Sequence, residues 1–165
     1  MVVGEKLSIW DIIWKYTIRD TISGILTLIP ATPGVLLRMI YYKIFLKKCG
    51  KGLRVAEFVR IRKPEKLSIG DHVILNEFVT IDGDEELTIG DYTNIGLYVS
   101  IFTHTLNYKD KDIPIKLQPK KLKPVHIGKD VFLATGVIVM PGVTIGDGSV
   151  VAANTVVVSD IPHYS

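Results

Sequence analysis

The sequence predicts an all-β protein, a parallel β-helix of about five turns, preceded by an N-terminal α-helical segment. Three observations predict it: aliphatic residues return every six or eight positions, glycines directly follow many of them, and a strongly apolar, basic segment precedes this repeat. The chain has 165 residues, of which 47% are hydrophobic and 22% charged. These values fit one compact domain with a core and exclude a disordered or collagen-like chain.

Residues 1–50 form the predicted N-terminal helical segment. Residues 35–48 have the pattern of an amphipathic helix that ends in lysines, and apolar residues also recur at helical spacing nearer the N-terminus. The 17 uncharged residues 21–37 contain Pro30, Pro33 and two glycines, so we expect a break between two helices and no clean transmembrane helix. The first helical pattern consists of Leu7, Trp10, Ile13, Trp14 and Ile18.

The net charge of +3 hides an asymmetry. Residues 1–63 carry 12 Lys/Arg against 4 Asp/Glu, whereas residues 64–165 carry 8 against 13. Because the basic excess lies beside the most apolar stretch, it favours an anionic membrane surface over nucleic acid as a partner. The alternative is that these helices pack on the domain end or on a neighbouring subunit. No signal peptide pattern is present, so we expect a cytoplasmic protein that is peripheral on the inner face of the membrane.

The repeat in residues 51–165 decides the fold. Its aliphatic positions follow in steps of 6, 8, 6, 6, 8, 6 and 6 up to Ile101, and in steps of 6 from Ile127. In an α-helix, residues six apart do not lie on the same face. In a coil with three short strands per turn, each stacked on the next turn, residues at this spacing all point to the inside. A glycine after the aliphatic residue suits a corner that needs either little side chain or a permissive backbone. The series is Val55, Ile61, Ile69, Leu75, Ile81, Ile89, Ile95, Ile101, Ile127, Leu133, Val139, Ile145, Val151 and Val157.

The repeat is interrupted between Ile101 and Ile127, so residues 102–126 are predicted to leave the prism as a long loop. Long loops on rigid scaffolds often carry function, and His104 lies at the root of this one. Asp84 precedes His104 by 20 residues, one turn earlier, so the two should share an edge. The carboxylate could orient the imidazole or bind substrate hydroxyls. Alternatively it belongs to a merely solvated acidic corner, made of Asp82, Asp84, Glu85 and Glu86.

Other polar candidates have weaker support. His72 lies in a polar corner and should face solvent, and His163 lies in the tail. His126 precedes the strand that resumes the repeat, where it could line the pocket or, as we expect, make a structural loop contact. The lone Cys49 lies outside the repeat and excludes both an internal disulfide and a four-cysteine zinc site. The loop lysines could attract phosphate groups or simply be solvated, and they are Lys109, Lys111, Lys116, Lys120, Lys121 and Lys123.

Several motifs together resemble one group of enzymes. They are the Ile-Gly-Asp units that begin at Ile69, Ile89 and Ile145, the Thr103-His104 pair, and the Pro-Gly-Val-Thr-Ile-Gly-Asp-Gly-Ser stretch after Met140. This combination resembles the hexapeptide-repeat acyltransferases, which fold as left-handed parallel β-helices. Within them it is similar to galactoside/maltose and polysaccharide or lipopolysaccharide O-acetyltransferases. The resemblance implies acetyl transfer from acetyl-coenzyme A to a hydroxyl of a sugar or cell-surface polysaccharide precursor, by a homotrimer that requires no metal.

The resemblance also implies roles for individual residues. His104 is the general base, Asn76 and Asp84 lie in the acceptor pocket, and acetyl-coenzyme A lies in a groove between two subunits. The base would deprotonate the hydroxyl for direct attack on the thioester, and a backbone N–H near Ala134 or Thr135 would meet the oxyanion. The implied cofactor positions are Phe132, Ala134, Thr135, Pro141, Gly142, Ala152, Ala153 and Val158. Two of them depart from the family pattern, because Phe132 replaces a frequent Trp and Val158-Ser159 replaces a common Thr-Lys pair.

Three alternatives are left open. The same base serves an amine acceptor such as an amino sugar, which would make the protein an N-acetyltransferase. A non-catalytic, membrane-associated β-helix assembly module needs no base at all. A zinc enzyme on the same fold, similar to carbonic anhydrases, would need three histidines across a subunit boundary, and this chain lacks their closely paired histidines.

Overall fold

The computed structural model of the protein describes Trp10 and residues 17–165. In this part of the chain, three five-stranded parallel sheets form the three faces of a prism. The first face is made of β1 (Lys48–Cys49), β4 (Leu67–Ile69), β7 (Leu87–Ile89), β12 (Val125–Ile127) and β15 (Thr144–Ile145). The second face is made of β2 (Arg54–Val55), β5 (Ile74–Leu75), β8 (Asn94–Ile95), β13 (Phe132–Leu133) and β16 (Val150–Val151). The third face is made of β3 (Arg60–Arg62), β6 (Thr80–Asp82), β9 (Ser100–Phe102), β14 (Ile138–Val139) and β17 (Val156–Val157).

The predicted aliphatic column forms the core. Leu75, Ile95 and Leu133 lie in register on successive strands of the second face, and each is fully buried. Stacking turns in this way buries one continuous apolar column, because each turn covers the next. The coil has five complete turns and the start of a sixth, where Ile161 bridges to Ile145, slightly more than the predicted five.

The corners explain why glycine follows the aliphatic residue. A Cβ on Gly90 would lie 2.6 Å from the carbonyl carbon and oxygen of Gly128 in the next turn, so this glycine is required by close approach of two backbones. The left-handed backbone falls two residues later, where even Phe58, Phe78 and Tyr98 have φ of 59°, 61° and 58°. Their rings stack at 4.9 and 4.8 Å between centroids, which offsets part of the cost of that conformation.

Two helices cover the open end of the first turn. They are α1 (Arg19–Thr27) and α2 (Ala31–Phe45), separated at Pro30 as predicted. Arg38 donates a hydrogen bond from Nε to the Val55 carbonyl at 2.8 Å, and the Phe58 N–H donates to the Thr27 carbonyl at 3.3 Å. These contacts provide hydrogen-bond partners for backbone groups of the first turn, which has no neighbouring turn on that side. Among the described helices, none is long and apolar enough to cross a bilayer.

Several predicted boundaries at this end were wrong. The second helix was expected to reach Lys48, but Lys48 begins β1 and pairs with Ser68 of β4. Cys49 therefore lies in the first turn of the repeat rather than outside it, and burial raises the pKa of its thiol. The uncharged stretch predicted to hold the break between two helices is itself helical up to Thr27, and the break is confined to the turn before Ala31. Of the first helical pattern, Trp10 and Ile18 are described, while Leu7, Ile13 and Trp14 lie outside the described residues. The division into residues 1–50 and 51–165 stays a prediction.

The interruption of the repeat is an ordered excursion. It begins after Phe102, which pairs with Asp82, and ends before Val125, which pairs with Leu87, so it is slightly shorter than the predicted 102–126. Within it, β10 (His104–Thr105) pairs antiparallel with β11 (Lys121–Leu122). The side chain of Gln118 is buried and donates hydrogen bonds to the carbonyls of Asp110 and Ile113, both at 2.7 Å, which fixes the far part of the loop.

Candidate functional site

Three side chains meet where the third face turns into the first, an edge called here the 3/1 edge. Asp84 and His104 lie at equivalent places of consecutive turns, because Asp82 pairs with Phe102. His104 Nδ1 lies 3.3 Å from Asp84 Oδ2 and 3.8 Å from Asp82 Oδ2. The prediction of a shared edge is confirmed. Both aspartates are only 8% exposed, so the interpretation of this corner as merely solvated is wrong for them.

Two lysines hold the Asp84 carboxylate ionised. Lys63 Nζ lies 2.8 Å from Oδ1, and Lys120 Nζ lies 2.7 Å from Oδ2. Burial acts to raise the pKa of Asp84, but the hydrogen bonds from Lys120 and Lys63 outweigh it and hold this pKa well below its usual range. A full negative charge therefore faces the imidazole. Lys120 comes from the excursion, so this ion pair also fastens the loop to the prism.

The backbone that carries His104 is fixed by its neighbours. The Thr103 hydroxyl donates to the Asp82 carbonyl at 2.9 Å and accepts from the Glu85 N–H at 2.8 Å. Arg62 Nη1 lies 3.0 Å from Asp82 Oδ2. Thr103, Arg62 and Lys63 were not among the predicted site residues. The 20-residue register could have found Arg62, because it pairs directly with Asp82 on the neighbouring strand.

The two ring nitrogens of His104 differ in their surroundings. Nδ1 is buried against the Asp84 carboxylate and, among the described residues, has no well-aligned hydrogen-bond partner. Hydrogen bonds of catalytic groups are often long until substrate binds. A carboxylate facing Nδ1 favours a proton on that nitrogen, which leaves the lone pair on Nε2.

The same three residues have the composition of a metal site. One ligand atom from each of Asp82, Asp84 and His104 lies within 4.8 Å of the others. Both oxygens of Asp84 already receive a lysine ammonium group. These two cations supply the positive charge that a metal ion would bring, so the geometry fits a carboxylate–imidazole pair better than a coordination sphere.

Asn76 lies on a different edge of the prism from His104 and Asp84. It follows β5, where the second face turns into the third, an edge called here the 2/3 edge. Its Nδ2 donates to Asn94 Oδ1 and to the Ile95 carbonyl, both at 2.8 Å. A single chain therefore does not bring Asn76 together with His104 and Asp84.

The predicted cofactor residues also divide between two edges. Along the 2/3 edge and the adjoining second face lie Phe132, Ala134, Thr135, Ala152 and Ala153, whereas Pro141, Gly142 and Val158 lie on the 3/1 edge. Each has an accessible surface. The Ala134 N–H donates to the Val151 carbonyl at 3.0 Å, so it is not free to bind an oxyanion. Of the two predicted donors, Thr135 is the one that remains.

The other histidines make contacts away from the cluster. His72 is exposed, as predicted, and stacks on Tyr92 with ring centroids 5.1 Å apart. His126 Nδ1 lies 2.9 Å from the Thr88 hydroxyl, and His163 Nδ1 accepts from the Asp147 N–H at 2.9 Å. His104 is therefore the histidine that the fold combines with buried carboxylates.

Comparison with known proteins shows the family. The protein-family model described as bacterial transferase hexapeptide (six repeats) matches residues 124–159. The Escherichia coli (strain K12) protein WcaF, whose name assigns it to colanic acid biosynthesis as an acetyltransferase, is 33% identical over 138 residues, which cover 82% of this chain and 73% of WcaF. This chain belongs to the hexapeptide-repeat transferase family. Other relatives match over less of their length: the chain spans about a third (32%) of a Staphylococcus aureus (strain COL) protein named an acetyltransferase, at 41% identity over 70 residues.

Solved structures of acetyltransferases are similar to most of this chain. A hexapeptide-repeat acetyltransferase from Vibrio cholerae, complexed with acetyl-coenzyme A, has a TM-score of 0.76 at 29% identity, covering 88% of this chain and 79% of that one. A maltose O-acetyltransferase from Clostridium difficile shares the fold with a TM-score of 0.83 at 23% identity, covering 92% and 80%. The prediction of a left-handed parallel β-helix is confirmed.

Proposed function

We propose that this chain transfers an acetyl group from acetyl-coenzyme A to a hydroxyl group of a sugar or polysaccharide precursor, with His104 as the general base. The observation that carries the proposal is an imidazole held 3.3 Å from a buried, doubly lysine-paired aspartate at the point where the coil is interrupted. The acetyl-coenzyme A complex of the Vibrio cholerae relative supports the donor, and the name of WcaF supports a saccharide acceptor. Because acetyl-coenzyme A is an intracellular metabolite, the proposal includes a cytoplasmic location.

The reaction follows from the arrangement of His104. Nε2 takes the proton of the acceptor hydroxyl while its oxygen attacks the thioester carbonyl, because an alcohol is a poor nucleophile at neutral pH. The Asp84 carboxylate stabilises the imidazolium that forms. The tetrahedral oxyanion is met by the Thr135 N–H of a neighbouring subunit. Collapse breaks the carbon–sulfur bond, and the imidazolium proton passes to the departing thiolate.

The division of the predicted residues between two edges supports a homotrimer. His104 and Asp84 lie on the 3/1 edge, whereas Thr135, Ala152 and Asn76 lie on the 2/3 edge of the same prism. One chain cannot close a site from both edges, but the 3/1 edge of one subunit facing the 2/3 edge of the next can. A closed ring of three prisms builds three such grooves. Each groove would hold one acetyl-coenzyme A.

The proposal is tested by acceptor-dependent release of coenzyme A. Purified protein, acetyl-coenzyme A and a panel of sugars and oligosaccharides are expected to yield an acetylated product that neutral hydroxylamine cleaves, because esters are labile and amides are not. A hydroxylamine-resistant product would identify an amino sugar as the acceptor instead. No product with any acceptor, together with full biological complementation by His104→Ala, would indicate a non-catalytic module.

Replacing Asp84 with Asn tests the electrostatics of the site. We expect acetyl transfer to fall by about 10- to 100-fold, since the charge that stabilises the imidazolium is lost.

The low folded-state pKa of Asp84 contributes to the free energy of unfolding at pH values above the ordinary pKa of an aspartate, and this contribution disappears as pH falls through the folded-state value. The free energy of unfolding of wild type should therefore exceed that of the variant most at neutral pH, and the difference should shrink below about pH 4. Denaturant unfolding at both pH values measures this.

The matched control is Asp91→Asn. Asp91 also pairs with a lysine, at 3.0 Å from Lys129 Nζ, but it lies in the corner between the first and second faces. This variant should keep near wild-type activity. Equal losses in both variants would contradict a specific role for Asp84.

A further inference from the structure

We propose that the outer face of α1 and α2 is a docking surface for an anionic lipid bilayer. Eight large aliphatic side chains on these helices and the turn between them are exposed to solvent. Along α1 they recur at spacings of three or four, and along α2 the adjacent Leu36 and Leu37 are followed at such spacings by Ile40 and Ile44, so each set lines one side of its helix. We call this set the cap face, and it consists of Ile18, Ile22, Ile25, Leu28, Leu36, Leu37, Ile40 and Ile44.

The two arginines of the helices are turned away from the cap face. Arg38 is the one charged residue between Thr21 and Tyr42, and its side chain is 1% exposed. Its Nη1 donates to the Leu26 and Ile29 carbonyls, both at 2.8 Å. Arg19 is buried as well and lies 2.8 Å from Glu65 Oε2. Both arginines therefore face the protein while aliphatic groups face outward, the reverse of an ordinary surface helix. The exposed charges of the helices, Asp20 and Lys43, lie in the first turn of α1 and the last turn of α2.

Cations next to the cap face select an anionic bilayer over a protein partner of neutral surface. Lys43 lies in the last turn of α2 beside Ile44, and Lys48 and Lys51 follow in the first turn of the coil. All three are exposed, and within the described residues none has a carboxylate within ion-pairing distance. Aliphatic groups that enter the acyl region and lysines at the level of lipid phosphates are the combination by which interfacial helices bind membranes.

The proposed catalytic residues lie closer to the cap face than the predicted cofactor residues do. The helices cover the first turn, and His104 follows the third-face strand of the third turn, so about 10 Å of stacked strands separate them. A cleft of about 330 Å³ between α1 and β3 includes in its lining Arg62, which contacts Asp82. The predicted cofactor residues lie in later turns, farther from the cap. Docking would place the acceptor side toward the lipid and the donor side toward the solvent; only this consequence rests on the proposed function.

The test is flotation of the full chain with lipid vesicles. Wild type is expected to float with vesicles of phosphatidylcholine and phosphatidylglycerol, and to float less with phosphatidylcholine alone or at high salt. The triple variant Leu37→Asp/Ile40→Asp/Ile44→Asp should lower the partition coefficient by on the order of 100-fold, because three aliphatic side chains no longer enter the bilayer. The matched control is Ile113→Asp/Ile115→Asp/Leu117→Asp, which alters three exposed aliphatic residues of the excursion and should float like wild type.

Specific results would overturn the proposal. Wild type that stays at the bottom with anionic vesicles excludes bilayer docking. Equal loss in both triple variants would make the binding nonspecific. A concentration-dependent increase in mass without lipid, abolished by the cap-face variant, would assign the face to a second copy of the protein. Circular dichroism confirms that each variant is folded, and because flotation needs no catalysis, its failure leaves the proposed acetyl transfer untouched.

Discussion

Replacing His104 with alanine is expected to lower kcat/KM for acetyl transfer by about 10²- to 10⁴-fold, the usual contribution of a positioned general base. Without the imidazole, the acceptor hydroxyl has no group of suitable basicity, since Asp84 is paired with Lys63 and Lys120. Binding of acetyl-coenzyme A should change little, because the predicted donor contacts lie on other residues. Initial rates of coenzyme A release measure the first effect, and calorimetric titration with coenzyme A measures the second.

Two histidine variants control for the loss of an imidazole as such. His72→Ala removes an exposed ring that stacks on Tyr92, and His126→Ala removes a contact to Thr88. Both should retain activity within about twofold of wild type, as expected for surface substitutions far from the chemistry. Near wild-type rates in His104→Ala would show that another group is the base or that no base is needed.

Replacing Ala152 with arginine is expected to weaken donor binding strongly. Gly96, Ala134 and Ala152 follow equivalent strands of three successive turns, so small residues form a smooth strip along the 2/3 edge. A long cationic side chain in that strip would fill the groove where acetyl-coenzyme A is proposed to lie. We expect KM for acetyl-coenzyme A to rise by at least about 10- to 100-fold, the size of an overpacking penalty of 1–3 kcal/mol.

The control for this variant keeps the residue small. Ala152→Ser should bind acetyl-coenzyme A within a few-fold of wild type, and both variants should unfold at similar denaturant concentrations because Ala152 is exposed. If Ala152→Arg binds the donor normally, the 2/3 edge does not form the donor groove.

The fold could be predicted from the sequence because the prism repeats one physical requirement many times. Each inward position must hold an aliphatic side chain, so the period is visible without an alignment, and it correctly placed Asp84 one turn from His104. The end of α2 could not be predicted in this way. Lys47 and Lys48 continue a helical pattern, but the Lys47 N–H donates to the Leu67 carbonyl, and strand pairing prevails.

The candidate site could be predicted only in part from the sequence, for a related reason. The register predicts which residues share an edge, but it does not say which side chains turn inward. Charged runs usually remain in solvent, and three of the residues at this site belong to such runs: Asp82, Lys63 and Lys120. Lys120 lies near the C-terminal end of the excursion, and its ammonium group contacts Asp84. The role of the corner glycines needed coordinates as well, because a glycine suits either a close approach of two backbones or a left-handed conformation. The structure shows close approach at Gly90 and places the left-handed backbone two residues later, at Tyr92.

A mixing experiment tests most directly whether His104 acts in a site shared by two edges of different subunits. Co-expressed His104→Ala and Ala152→Arg subunits, each with little activity alone when acetyl-coenzyme A is kept well below the KM of Ala152→Arg, should assemble at random into trimers. An intact site needs His104 from one variant and Ala152 from the other, a pairing that arises at about one site in four. Recovery of about a quarter of the wild-type activity per site is the expected result. A mixture as inactive as its parents would contradict a shared site with His104 as its base.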